Sequence, residues 1–310
     1  MLRLVGDVLV ELDLLAPQAR LTYCINITSG ESLAISAFVS ENRFFQVKAS
    51  EFSDLHGQYD AYCRAREAFP AFVPRPLGYR ARDGWSVMVT EGIRHSPVHA
   101  ANFRRRRIGG ATLMDHALAF FAAAAQRVQQ PGPAPQHQAL LRAVETHFAS
   151  TPSAAVAAQC LRSARTLGVE SLGCLAQHGD LVINNLADAE GRLIVFDWED
   201  YDKVHLPGFD IFTLSMSLLA ENAQAIRSMM DSTSHDPQFD KFLQRACALQ
   251  GIADGLFRQL IPLYLLVFLY LKRRYGVAIR ERIGVLLTQL AGSECAAPEL
   301  HPQLESGCAG

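Results

Sequence analysis

The 310-residue sequence is short of several things that would each have fixed its class. It has seven cysteines but no C-x-x-C pair, and the odd, scattered set gives neither a disulfide framework nor a thiolate zinc site. Charged residues make up only 19%, with 29 Lys and Arg against 31 Asp and Glu, which excludes a disordered acidic tail and a broadly basic nucleic-acid scaffold. There is no Walker A loop and no G-x-G-x-x-G. The longest apolar run, Leu260 to Leu271, is 12 residues and holds Pro262. That falls short of the roughly 20 residues needed to cross a bilayer, so it reads as a buried helix. Asp7, Glu11 and Asp13 interrupt any signal-peptide core in the first residues. The expectation is a soluble protein of a reducing cytoplasm, with no membrane and no nucleic acid among its partners.

What is present divides into two textures. Leu21–Ile27, Leu33–Val39 and Phe44–Ala49 are β-prone stretches separated by turn residues, and Tyr79–Arg82 and Trp85–Thr90 flank Asp83-Gly84, a hairpin signal. Between them, Asp54 to Phe69 carries apolar residues at helical spacing with Asp54 available as N-cap. From Thr112 onward helices dominate: Leu113–Val128, Ala139–Phe148, Ala154–Ala164 and most of Ile211 to Leu290, interrupted by a Pro/Gly break at 131–135 and a strand–turn–strand near Leu181–Asp197. Sheet first and helices later predicts an α+β fold of two lobes, a small antiparallel-sheet lobe at 1–92 and a larger, mostly helical lobe at 93–310.

The chemistry concentrates in His178-Gly179-Asp180-Leu181-Val182-Ile183-Asn184-Asn185, followed by Leu193-Ile194-Val195-Phe196-Asp197-Trp198-Glu199. An Asp, an Asn five residues later and a second Asp at the end of an apolar strand can converge at one end of a hairpin. That set suits phosphoryl transfer, in which Asp180 orients an acceptor hydroxyl and Asn185 and Asp197 offer hard oxygen ligands to Mg²⁺.

On these residues the chain resembles the aminoglycoside phosphotransferase and choline kinase family, the small-molecule branch of the protein-kinase-like fold. The family's catalytic loop, H-G-D-x-x-x-x-N, matches His178, Gly179, Asp180 and Asn185, and its metal motif matches Asp197-Trp198-Glu199. The V-P-x-P-L-G turn stands at Val73–Gly78, and Asp210 occupies the place of a helix Asp that hydrogen-bonds back to the catalytic loop. The resemblance runs from about Thr28 to Leu218.

It implies a bilobal kinase that uses ATP and Mg²⁺ to phosphorylate a hydroxyl of an amino-alcohol, an aminoglycoside or a sugar. It places Ser29, Gly30 and Ser32 in a phosphate-covering loop, Lys48 on the α and β phosphates, and Val89–Gly92, with Val89 and Glu91, in the hinge whose backbone groups bind adenine. Asn185 and Asp197 become metal ligands. Glu199 is read as a second metal ligand or as a structural carboxylate, both readings open. Two departures stand out. The helix residue aligned to pair with Lys48 is Gln58 where the family has Glu, with Glu51 and Asp60 open as alternatives, and Val182-Ile183-Asn184 replaces the usual H-P-G. They give a second reading: a kinase-like nucleotide-binding or scaffold protein without turnover. His178 and Trp198 read as packing residues, Asp200 and Asp202 as a polar loop, and the Arg104–Arg107 run as a solvated stretch.

Overall fold

The computed structural model describes residues 1–27, 32–40, 43–103, 107–108, 110–127, 135–189, 191–233, 236–274 and 277–291. It opens with a helix the sequence reading did not anticipate, Leu2–Glu11 (α1). Leu4, Val5, Val8 and Leu9 recur one and four residues apart, which puts them on one helical face, and all four are buried.

That face lies on an antiparallel sheet built from Thr22–Ile27 (β1), Ser32–Ser40 (β2), Arg43–Ser50 (β3), Pro76–Arg82 (β4) and Trp85–Glu91 (β5), in the order β1-β2-β3-β5-β4. The hairpin at Asp83-Gly84 forms as expected, with φ of 51° and 81°, the pair of positive values that a tight two-residue turn needs. Because side chains alternate across a strand, Val47, Ala49, Val87 and Val89 join the core under α1. Lys48 and its register partner Met88 therefore face the other way, towards the rest of the molecule. This alternation aims the lysine into the cleft.

Helix His56–Ala68 (α2) follows β3. Asp54 does not cap it as the N-cap residue: the helix begins after Leu55, and Asp54 Oδ1 accepts from the His56 N–H at 2.9 Å and from the Tyr79 hydroxyl at 2.7 Å. The apolar side of α2 (Ala61, Tyr62, Ala65) belongs to the second, larger core.

The rest of the chain is mostly helical. Ser96–Pro97 (β6), Arg107–Ile108 (β7) and Ala111–Thr112 (β8) lead into Leu113–Ala125 (α3), whose start is fixed by a Thr112/Asp115 capping box. Pro135–Phe148 (α4) and Ala154–Thr166 (α5) come next, and the Pro/Gly break lies mostly outside the described residues. Leu186–Ala189 (β9) and Arg192–Val195 (β10) form a hairpin, with β6 on its other edge. Phe209–Leu218 (α6), Ala223–Met230 (α7), Pro237–Leu249 (α8), Asp254–Gln259 (α9), Ile261–Leu271 (α10) and Val277–Ala291 (α11) complete the fold. Residues Ile261 to Leu269 of α10 are all buried, so the 12-residue apolar run is a core helix. Among the described residues no helix is long and apolar enough to cross a membrane. The architecture is a bilobal α+β fold with the cleft between sheet and helices.

Candidate active site

The loop carrying Asp180 is held from below by α6. Asp210 Oδ2 accepts from the His178 N–H at 2.6 Å and Oδ1 from the Gly179 N–H at 3.0 Å, while its own N–H donates to Gln177 Oε1 at 3.0 Å. Complete burial pushes the Asp210 carboxyl up to about 6, with His178 and the two backbone donors pulling the other way. Gly179 has φ of +86°, and a Cβ there would meet the Asp200 carbonyl oxygen at 2.7 Å. Both facts require glycine.

His178 is a strut. Its Nε2 lies 2.8 Å from the Phe196 carbonyl and its Nδ1 lies 3.2 Å from the Asp180 backbone nitrogen, so the ring bridges the loop to the end of β10. Its ring packs edge-on against the buried Trp198 at 4.5 Å between centroids. Asn185 closes the loop: its Nδ2 donates to the Asp180 carbonyl at 2.9 Å and lies 3.5 Å from Asp180 Oδ2.

The β9–β10 hairpin then delivers Asp197, in the left-handed region at φ 60° and ψ 58°. Its N–H donates to the hydroxyl of Tyr62 on α2 at 3.0 Å. Tyr62 is buried, and burial together with Asp197 holds its phenol well above the usual range. Trp198, Glu199 and Asp200 form one 3-10 turn. Lys48 Nζ lies 3.1 Å from Glu199 Oε2 and 4.0 Å from Asp197 Oδ1. Burial, and then the neighbouring Glu199, push the Asp197 carboxyl up to about 6, with Lys48 opposing.

Lys48, Asp197 and Glu199 sit on the wall of a cavity of about 490 Å³, with Ser32 and Ala34 on β2 and Met88 and Thr90 on β5. Gln58 lines it too, but the carboxylate that reaches Lys48 is Glu199, because α2 offers an uncharged amide at that position. The sequence left the partner of Lys48 open among Gln58, Glu51 and Asp60, and the carboxylate found against it is Glu199. Strand β5 carries the residues named for the hinge. Val89 is turned into the α1 core by strand alternation, and Glu91 is engaged with Arg75, its N–H donating to the Arg75 carbonyl at 2.9 Å and its Oε1 accepting the Arg75 N–H at 2.7 Å. The cleft-facing residues of that strand are Met88 and Thr90. Ser29 and Gly30 lie outside the described residues.

Two residues near Asp180 escaped the sequence reading. Asp200, expected in a polar loop, is buried and bound by Lys272 at 3.2 Å and Lys203 at 2.8 Å. Burial drives its carboxyl upward, and the two lysines more than offset that, leaving it below its ordinary value. Lys272, just past α10, also lies 2.8 Å from Asp180 Oδ2. No spacing rule links position 272 to position 180. The only linear hint was a lysine directly after an apolar helix, where a solvated helix end is the ordinary expectation.

Among the described residues no group of three or more His, Cys, Asp and Glu side chains makes a self-sufficient metal site. Asp197 stands on the cavity wall with a partly exposed carboxylate, and its oxygens, like the amide oxygen of Asn185, are of the hard kind that a Mg²⁺ ion completing its shell with phosphate and water would take.

No protein-family model matches the chain, and no curated protein matches it in sequence. Solved structures do. A candidate fructosamine-3-kinase from Thermobifida fusca YX-ER1 superposes with a TM-score of 0.62 at 15% identity, covering 94% of this chain and 99% of the other. The choline kinase LicA from Streptococcus pneumoniae gives 0.62 at 14%, covering 94% and 99%. A thermostable mutant of the aminoglycoside phosphotransferase APH(4)-Ia, solved as a ternary complex with ADP and hygromycin B, gives 0.52 at 13%, covering 91% and 97%. These neighbours are small-molecule kinases, and the chain has their protein-kinase-like fold.

Proposed function

We propose that the protein is a phosphotransferase that moves the γ-phosphoryl group of ATP, with Mg²⁺, onto a hydroxyl of a small molecule. In this reading residues 1–92 hold the nucleotide and 93–310 hold the acceptor. The observation that carries it is the meeting of Lys48, from β3, with Asp197 and Glu199, from the far side of the cleft, on one cavity wall.

Phosphoryl transfer asks the protein chiefly for position and for charge opposite the phosphates. Lys48 supplies the charge against the α and β phosphates. Ser32, at the start of β2, faces the phosphates, and Met88 and Thr90 flank the base. Asn185 and Asp197 would hold Mg²⁺, which would supply positive charge to offset that of the transferring phosphates. Glu199 serves as the partner of Lys48. The acceptor oxygen bonds to the γ-phosphorus, the bond from that phosphorus to the β–γ bridging oxygen breaks, ADP departs, and the hydroxyl proton passes to Asp180.

The acceptor side is less acidic than its carboxylates imply, because Lys272 and Lys203 offset Asp180 and Asp200. On that ground a sugar hydroxyl suits it better than a strongly cationic acceptor. The test is ATP consumption with Mg²⁺ across choline, a fructosamine, hygromycin B and simple sugars, comparing the parent with Asp180→Asn. Asp180-dependent turnover supports the reading, and Mg·ATP binding without turnover favours the scaffold alternative.

A further inference from the structure

The C-terminal helices reach back into the catalytic loop through one side chain. Helix α10 is buried and tied to the segment before α6 by the Tyr264 hydroxyl, which donates to the Pro207 carbonyl at 2.7 Å. Its last turn hands the chain to Lys272, whose side chain is only 7% exposed and whose Nζ lies 2.8 Å from Asp180 Oδ2 and 3.2 Å from Asp200 Oδ2. Burial opposes the charge on Lys272, and the two carboxylates more than compensate, so the ammonium is held in its charged form.

Such a group is poorly explained by stability alone, since a buried ion pair gains little over apolar residues of similar volume. Its geometry is informative. Lys272 and the Asn185 amide, at 2.8 and 3.5 Å, both address Oδ2 of Asp180. The carboxylate is thereby fixed in one orientation, with Oδ1 as the oxygen available to an acceptor hydroxyl.

We infer that Lys272 is a positioning residue for phosphoryl transfer: it holds Asp180 so that Oδ1 meets the acceptor hydroxyl, and it makes the residue that ends α10 part of the active site. The inference rests on the phosphotransfer reading above and adds a residue to it. Lys272 exchanges no proton in the step. It orients Asp180, which takes the hydroxyl proton as the acceptor oxygen bonds to phosphorus and ADP leaves.

Three variants test it, with Mg·ATP and the acceptor that the parent turns over. Lys272→Met is expected to lower kcat by about 100-fold, the size of effect that follows a misplacement of about 1 Å at a reacting group, with KM for ATP within about twofold of the parent's on the same reasoning. Lys272→Arg, which keeps a cation in reach, is expected to retain more of kcat. The double variant Lys272→Met/Asp200→Asn removes one charge of each sign, so it folds without an orphaned carboxylate at position 200. A positioning role predicts a recovered thermal midpoint with kcat still low. Recovery of kcat in the double variant would overturn the inference, because Lys272 would then act only by neutralising Asp200. Parental kcat in Lys272→Met would overturn it as well. A parent without Asp180-dependent turnover overturns the phosphotransfer reading itself, an outcome distinct from either.

Discussion

Lys48 and Glu199 are 151 positions apart in the chain and 3.1 Å apart in space. Kinase-like sites commonly pair the strand lysine with a glutamate on the helix that follows it. Here that helix offers Gln58, and the anion comes from the last residue of the metal motif, Glu199. Lys48 is thus oriented from across the cleft. Glu199→Gln is expected to lower kcat/KM for ATP by about tenfold, roughly 1.4 kcal/mol. Adding Gln58→Glu, which returns a carboxylate to the same cavity, is expected to recover part of that loss in steady-state kinetics.

Tyr62 links α2 to Asp197 through a hydroxyl that accepts a backbone N–H. Removing it leaves a partly buried donor without that partner, at a cost of about 1–3 kcal/mol. Tyr62→Phe should therefore lower the urea midpoint. It should also weaken Mg·ATP binding in calorimetry, because the left-handed conformation of Asp197 loses its tether. Unchanged affinity with lowered stability would separate the tether from the site.

Gly179→Ala combines a positive φ with a Cβ placed 2.7 Å from the Asp200 carbonyl. Strained backbone of this kind costs on the order of 1–3 kcal/mol. The displaced loop carries Asp180, so turnover should be lost before Mg·ATP binding is. Thermal unfolding and nucleotide titration on the same sample read both effects.

Asp210 gives a pH dependence whose sign can be stated. Its folded value of about 6 lies above the ordinary 3.8, so the folded state holds the proton more tightly than the unfolded state. Its favourable contribution is complete below the ordinary value and is lost as pH rises through about 6. Between those limits the parent should lose on the order of 2–3 kcal/mol relative to Asp210→Asn. Urea midpoints of both proteins across the window check this. A parallel course for the two would show that Asp210 is not perturbed.

Local signals in the sequence carried the strands, the Asp83-Gly84 hairpin and the catalytic-loop motif, because each is encoded within a few residues by alternation, turn chemistry or fixed spacing. Asp210 was legible only through the family resemblance, which puts an Asp on the next helix that bonds back to that loop. Helix α1 carried a readable stripe at Leu4, Val5, Val8 and Leu9 but was read only for what it excluded. Which side chains of β5 face the cleft needed the strand's register: pairing with Val47 turns the Val89 side chain to α1 and gives the cleft face to Met88 and Thr90. Lys272 was beyond reach. Its meaning comes from α10 packing against the molecule so as to bring position 272 beside position 180, a tertiary fact with no local trace.

The account stands or falls on where a nucleotide sits. A crystal structure of the parent with Mg²⁺ and a non-hydrolysable ATP analogue should place the base between Met88 and Thr90 and the α and β phosphates against Lys48. It should also place a metal about 2.0–2.1 Å from oxygens of Asn185 and Asp197. An analogue bound outside this cavity, or a metal held by other residues, would contradict it.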